Sequence, residues 1–260
     1  MVLFSKKLVD VSFEVDLPLI KQLLKESIPI AVASVFTIIY FRTDIIMLSF
    51  LRGDAEVGLY SAAYKLTDAL VFLPSVITTS TFPVMSKYYK DSFYAFSFAY
   101  ARTFKYLFAA GLLIAVLVTF ASDRIISIAY GSEYQNSAVA LQILIWATAI
   151  AFINVLISST CVSSGNQQII SKTSILAALL NVILNLILIP SIGYTGAAIA
   201  TVFSSLGSML FGLYWIHKNL LHKSLLQLTY SPLIAAGVIS IFILFIQSYA
   251  DILFLSALSV

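Results

Sequence analysis

Seven stretches of this chain, at roughly 27–50, 57–83, 103–122, 138–162, 169–189, 196–216 and 232–249, run apolar with few interruptions. Each approaches or exceeds the ~20 residues a helix needs to cross a hydrocarbon core of ~30 Å. Backbone inside lipid has no water to bond, so only helices and closed barrels cross it. The runs are continuous rather than alternating, which excludes a barrel. Composition agrees, with 60% hydrophobic and 10% charged residues, too few charges to coat a soluble core. The fold class predicted is all-α, a polytopic transmembrane bundle of about seven spans over residues 27–260. A further apolar run starts at residue 252 and ends with the chain, about nine residues on. Nine helical residues cover only ~14 Å, so it either re-enters partway or, as the favoured expectation, is a truncated helix.

Residues 1–26 are set apart as a cytoplasmic N-terminal segment. Lys6, Lys7, Asp10, Glu14 and Asp16 break its apolar stretches, so no cleavable signal forms. Ile20, Leu23 and Leu24 gather on one side with Lys21 and Lys25 elsewhere, a pattern that suits a short interfacial helix or an ordered linker. Orientation follows from the basic residues. With residue 1 inside, Lys6, Lys7, Lys21, Lys25, Lys87, Lys90, Arg102, Lys105, Lys172, Lys218 and Lys223 fall at cytoplasmic ends, and only Arg52 and Arg124 fall outside. A multi-pass protein of the cytoplasmic membrane is expected, N-terminus inward.

Four charges sit inside spans: Arg42 and Asp44 in the first, Lys65 and Asp68 in the second. Each costs several kcal/mol at the bilayer centre unless paired or hydrated. On antiparallel neighbours they fall in one band. Two readings stand: Arg42 pairs with Asp68 and Lys65 with Asp44 as a structural network, or the band lines a hydrated cavity that meets an anionic substrate or titrates. Pro74 is expected to kink the second span and is the hinge candidate. Thr78, Thr79, Ser80 and Thr81 follow it and are placed to satisfy freed carbonyls. Asn154, Asn181 and Asn185 suit interhelical hydrogen bonds or cavity lining, and the row Gly196, Ala200, Ser204, Ser208 and Gly212 invites close helix approach.

No enzyme constellation appears. His217 and His222 have no carboxylate or cysteine cluster near them, Cys161 is alone, and no phosphate loop or dinucleotide fingerprint occurs. Metal and cofactor are expected to be none, and the basic residues follow topology rather than a nucleic-acid footprint.

The stretch from Pro29 to Ser86 carries Asp44-Ile-Ile-Met-Leu, then Val57-Gly-Leu-Tyr-Ser-Ala-Ala-Tyr-Lys65, the Leu73-Pro74 step and the Phe82-Pro83 end. It resembles the seventh and eighth helices of polysaccharide flippases of the O-antigen transporter type. NVILNLILIPSIGYTGAAIAT, Asn181 to Thr201, resembles that family's helix–short loop–helix signature, preceded by the turn Ser164-Gly165-Asn166-Gln167. The family belongs to the superfamily that also holds multidrug/cation antiporters and lipid II flippases. The resemblance implies one lobe of a two-lobed flippase, moving polyprenyl-pyrophosphate-linked glycans by alternating access, with Arg42 and Lys65 as candidates for the pyrophosphate contact. Membrane lipid, that glycan, and a missing N-terminal half or a second copy are the partners it implies. The readings held beside it are a multidrug/cation antiporter using Asp44 and Asp68, and a membrane enzyme or structural subunit handling lipid-linked sugars.

Overall fold

The computed structural model describes residues 16–221. They form α1 (Leu17–Arg52), α2 (Asp54–Leu70), α3 (Phe72–Asp91), α4 (Phe93–Tyr130), a 3₁₀ turn (Ser132–Tyr134), α5 (Ser137–Ser163), α6 (Gln168–Ile216) and a π-helical turn (His217–Leu221). No strand occurs among the described residues. Among the described residues five segments are long and apolar enough to cross a membrane: Ala31–Arg52, Asp54–Asp91, Phe93–Tyr130, Ser137–Ser163 and Gln168–Leu221. The expected span at 232–249 and the apolar run from 252 lie outside the described residues, as do residues 1–15.

Local chemistry sets the helix ends. Asp16 caps α1 by accepting from the Leu19 N–H at 3.0 Å, with Pro18 in the first turn. Residues 17–26 are the first turns of α1 itself, continuous with the span. Gly53 at φ 89° ends α1, and its N–H bonds the Leu48 carbonyl at 3.1 Å. Ser92 separates α3 from α4 and caps the latter through the Ala95 N–H at 3.3 Å.

The second expected span is two helices that break at Val71, and it runs on to Asp91. Pro74 lies three residues beyond the break. Its ring clashes with the carbonyl four residues back, which is that of Leu70, the last residue of α2. Ser75 and Thr78 hydroxyls donate to the Val71 and Pro74 carbonyls at 3.0 and 2.9 Å. Ser80 and Thr81 likewise bond carbonyls one turn back.

α6 is a helical hairpin rather than a rod. Gly193 adopts φ 60°, ψ −139°, and the chain reverses there. The first arm, 168–192, and the second, 194–216, then lie side by side, with the Ser208 hydroxyl donating to the Thr173 carbonyl at 3.2 Å. The described residues thus make six passes. The reversal takes one residue instead of the short loop expected, because two side chains of the α1–α2 corner hold its open backbone groups. Arg52 donates to the carbonyls of Ile189 and Pro190 at 3.0 and 2.7 Å, and Glu56 accepts from the Tyr194 N–H at 2.8 Å. A cation thus meets the C-terminal carbonyls of the first arm and an anion the N-terminus of the second, the favourable sense for both helix dipoles.

α5 is the central helix, touching α2, α3, α4 and α6, while α1 packs on α6. One core lies toward the α3–α4 turn, around Phe96, Tyr100, Phe104 and Phe152, and the other toward the Gly53 end, around Leu48, Tyr60 and Leu141. The small-residue row of the second arm is buried throughout. In lipid such rows matter because association rests on close packing. A methyl at Gly196 would stand 2.6 Å from the Leu188 carbonyl oxygen of the first arm, which is backbone and cannot turn aside. Gly196→Ala is therefore expected to lower stability by about 1–3 kcal/mol, read by thermal melting in detergent. An unchanged melt would mean that the arms are not in contact there.

Candidate functional site

Asp44 is 2% exposed and carries no ion pair among the described residues. Four neutral donors surround its carboxylate. Tyr60 and Thr201 hydroxyls reach Oδ2 at 2.5 and 2.7 Å, and the Asn181 and Asn185 amides reach Oδ1 at 2.9 and 2.6 Å. Three segments build the site: α1 gives Asp44, α2 gives Tyr60, and the α6 arms give the other three. The turns at Gly53 and Gly193 bring them to one depth. Asp44 lies nine residues before Gly53 and Tyr60 seven after; Asn185 lies eight before Gly193 and Thr201 eight after. At a rise of ~1.5 Å per residue, all four sit about 10–14 Å below those turns.

The donors stabilise a carboxylate, yet no described cation neutralises it, and a buried charge left unpaired is costly. The Asn185 Oδ1 is also buried without a hydrogen-bond partner. Amide oxygen and nitrogen exchange places by a half-turn of the side-chain amide. Turned that way, Asn181 and Asn185 present carbonyl oxygens toward Asp44, alongside the Thr201 hydroxyl. Hard oxygen donors of this kind suit a small hard cation. No group of three or more His, Cys, Asp or Glu that would hold a transition metal occurs among the described residues.

The expected pairings of Arg42 with Asp68 and Lys65 with Asp44 do not form. Arg42 and Lys65 are exposed, and no ion pair reaches either among the described residues. Arg42 is two positions from Asp44, so it projects from nearly the opposite side of α1. Asp68 is exposed and lines a cavity of about 220 Å³ between α1, α2, α5 and the α6 arms, and Asp44 lies on the same wall. Asn154 lines it too, its amide donating to the Ser205 carbonyl at 3.3 Å. Pro74 is buried three residues past Val71, which lines this cavity, and is not itself one of the lining residues. Of the expected residues, Asp44, Asn181 and Asn185 converge on one site, and Asp68 and Asn154 share its cavity. Arg42, Lys65 and Pro74 stand apart. Tyr60 and Thr201 were not anticipated, being ordinary core types within apolar runs.

A family model described as polysaccharide biosynthesis protein matches residues 1–89. The chain is 29% identical over 193 residues to a putative O-antigen transporter of Shigella dysenteriae, covering 72% of this chain and 47% of that protein. It is 25% identical over 215 residues to Agl15 of Haloferax volcanii, described as a probable low-salt glycan biosynthesis flippase, covering 80% and 45%. Among solved structures, the lipid II flippase MurJ in an inward closed conformation superposes with a TM-score of 0.67 at 21% identity, over 91% of this chain and 52% of that one. An outward-facing multidrug transporter of the MATE family gives 0.64 at 22%, over 74% and 44%. The chain spans about half the length of the curated relatives it matches. Family model and relatives point the same way: the chain is similar to polysaccharide flippases, and it shares its fold with the lipid II flippase and the MATE transporter.

Proposed function

We propose that this chain forms a transport lobe for a lipid-linked glycan, carrying the glycan's diphosphate on Arg42 and Lys65 and sensing a monovalent cation at Asp44. The observation that carries the substrate reading is the placement of the two cations. Arg42 lies eleven residues before Gly53 and Lys65 twelve after, so they share a depth of roughly 16–18 Å on neighbouring helices. Both are exposed, and neither is paired among the described residues. Cations at such depth do not face acyl chains, so they meet water, protein or an anionic group. A diphosphate offers the charge and the acceptor oxygens that an arginine and a lysine bind. The glycan flippases among its relatives support the same class. Transport rather than catalysis follows, with the N-terminus cytoplasmic on the basic-residue bias, and with a companion half or a second copy completing the pathway.

The test is export of surface glycan in a strain deprived of its own glycan flippase, with the chain expressed beside the complementary half of a relative. Arg42→Gln with Lys65→Gln is expected to cut export at least about tenfold, as a lost charge-assisted contact of ~1.5–3 kcal/mol implies, at unchanged membrane abundance. Export that survives the double substitution removes the diphosphate contact.

An antiporter of cations is the second reading, favoured by the carboxylates of the cavity. Coupling a cation to glycan movement accounts for them equally and leaves Arg42 and Lys65 a role.

A further inference from the structure

The cavity beside Asp44 has its own character. Among the described residues its lining includes two carboxylates, Asp44 and Asp68, and no lysine, arginine or histidine. Asp44 is buried while Asp68 is exposed, so the two mark the closed and open ends of one space. Asp68 is eight residues beyond Tyr60 along α2, about 12 Å farther from the Gly53 turn. Hydroxyls line the same space: by the same count from the two turns, those of Tyr40 and Ser205 fall between the carboxylates in depth, and those of Thr37 and Ser174 fall at and beyond the depth of Asp68. The Thr37 and Ser174 hydroxyls lie 3.3 Å apart on facing helices. The Tyr40 and Ser205 hydroxyls lie 2.6 Å apart, and the Tyr40 hydroxyl also reaches the carbonyl of Thr201, itself a partner of Asp44, at 3.3 Å.

We propose that this cavity is the entry path by which a monovalent cation reaches Asp44, and that Asp68 is the carboxylate that draws the cation in. The proposal rests on Asp44 as the cation site, and it adds a residue and a route that the site alone does not require. A cleft of one sign with low-dielectric walls concentrates the opposite charge and raises its rate of entry by about 10–10³-fold. The hydroxyls supply successive oxygen ligands, so a cation need not shed its water in one step. Asp68 is a positioning residue here, because it acts on the approach and leaves the Asp44 ligands untouched.

The experiment uses the full chain in nanodiscs of neutral lipid at fixed pH. Sodium-dependent stabilisation and its rate of onset are followed at low ionic strength, with choline as the inert cation. For Asp68→Asn we expect onset to slow about tenfold, with the response at saturating sodium retained. The deficit shrinks when choline chloride is raised to several hundred millimolar, because screening then removes the steering from the unaltered chain as well. Asp68→Glu restores the fast onset. An Asp68→Asn chain that responds as fast as the unaltered one overturns the proposal while leaving Asp44 as the cation site. A slow onset that high salt does not narrow also overturns it, since that is the mark of a structural defect. If the unaltered chain shows no sodium response at all, the Asp44 reading fails and takes this path with it.

Discussion

Replacing Asp44 with asparagine is expected to abolish sodium-dependent stabilisation and leave the chain folded. The substitution keeps size and hydrogen-bonding capacity. The Tyr60 and Thr201 hydroxyls still have an oxygen to donate to, and the Asn181 and Asn185 amides adjust by turning over. What disappears is the one negative charge that a cation needs. A ligand that binds only the folded state at a hundred times its Kd adds about 2.7 kcal/mol. The unaltered chain should therefore melt several degrees higher in sodium chloride than in choline chloride. Asp44→Asn should melt at one temperature in both, close to or above the unaltered chain in choline, because a buried unpaired charge has been removed. A sodium response that persists in Asp44→Asn would mean that the cation binds elsewhere.

Gly193→Ala is expected to be the most damaging single-methyl change in the described residues. The conformation at φ 60°, ψ −139° is outside the regions open to a residue with a β-carbon, which costs ~1–3 kcal/mol. The added methyl would also collide with the Glu56 carboxylate that holds the Tyr194 N–H. If Glu56 moves away, the N-terminus of the second arm loses its acceptor. Because Asn181 and Asn185 stand on one arm and Thr201 on the other, opening the hairpin also spreads the ligands of Asp44. Gly193→Ala should therefore lower the melting temperature and weaken the sodium response together. Gly58→Ala serves as the contrast. Gly58 is within α2 with nothing within 4 Å of an added methyl, so that change should be neutral or stabilising by up to ~1 kcal/mol. Equal melts for the two variants would contradict the reversal at Gly193.

The helices of the described residues were legible because lipid leaves so few choices: a run of apolar residues of the right length is a helix. The site was half legible for the same reason. Asp44, Asn181 and Asn185 stand out as polar groups where polarity is costly. Their convergence was hidden by pairing charges with charges. Lys65 is the expected partner of Asp44 by depth, yet it stands five positions from Tyr60, which turns it about 140° around α2 from the side that meets Asp44. Tyr60 and Thr201 looked like core, and only the mirror positions about Gly53 and Gly193 mark them. Counting outward from those two glycines along the sequence matches Asp44 with Tyr60, and Asn185 with Thr201. The Arg52 and Glu56 clasp was less accessible, since a basic and an acidic residue in a turn read as solvated surface. It becomes visible only once the α6 reversal is known to present bare carbonyls and a bare N–H beside them.

The substrate class is tested most directly by labelling. A photoreactive polyprenyl-diphosphate glycan, irradiated with the full chain in nanodiscs, is expected to mark peptides of α1 and α2 around Arg42 and Lys65. Unlabelled lipid-diphosphate glycan should compete the label away, and the same polyprenol without its diphosphate should not. Label scattered over the lipid-facing helices, or label that the diphosphate compound fails to displace, would contradict the assignment of Arg42 and Lys65 to a lipid-linked glycan.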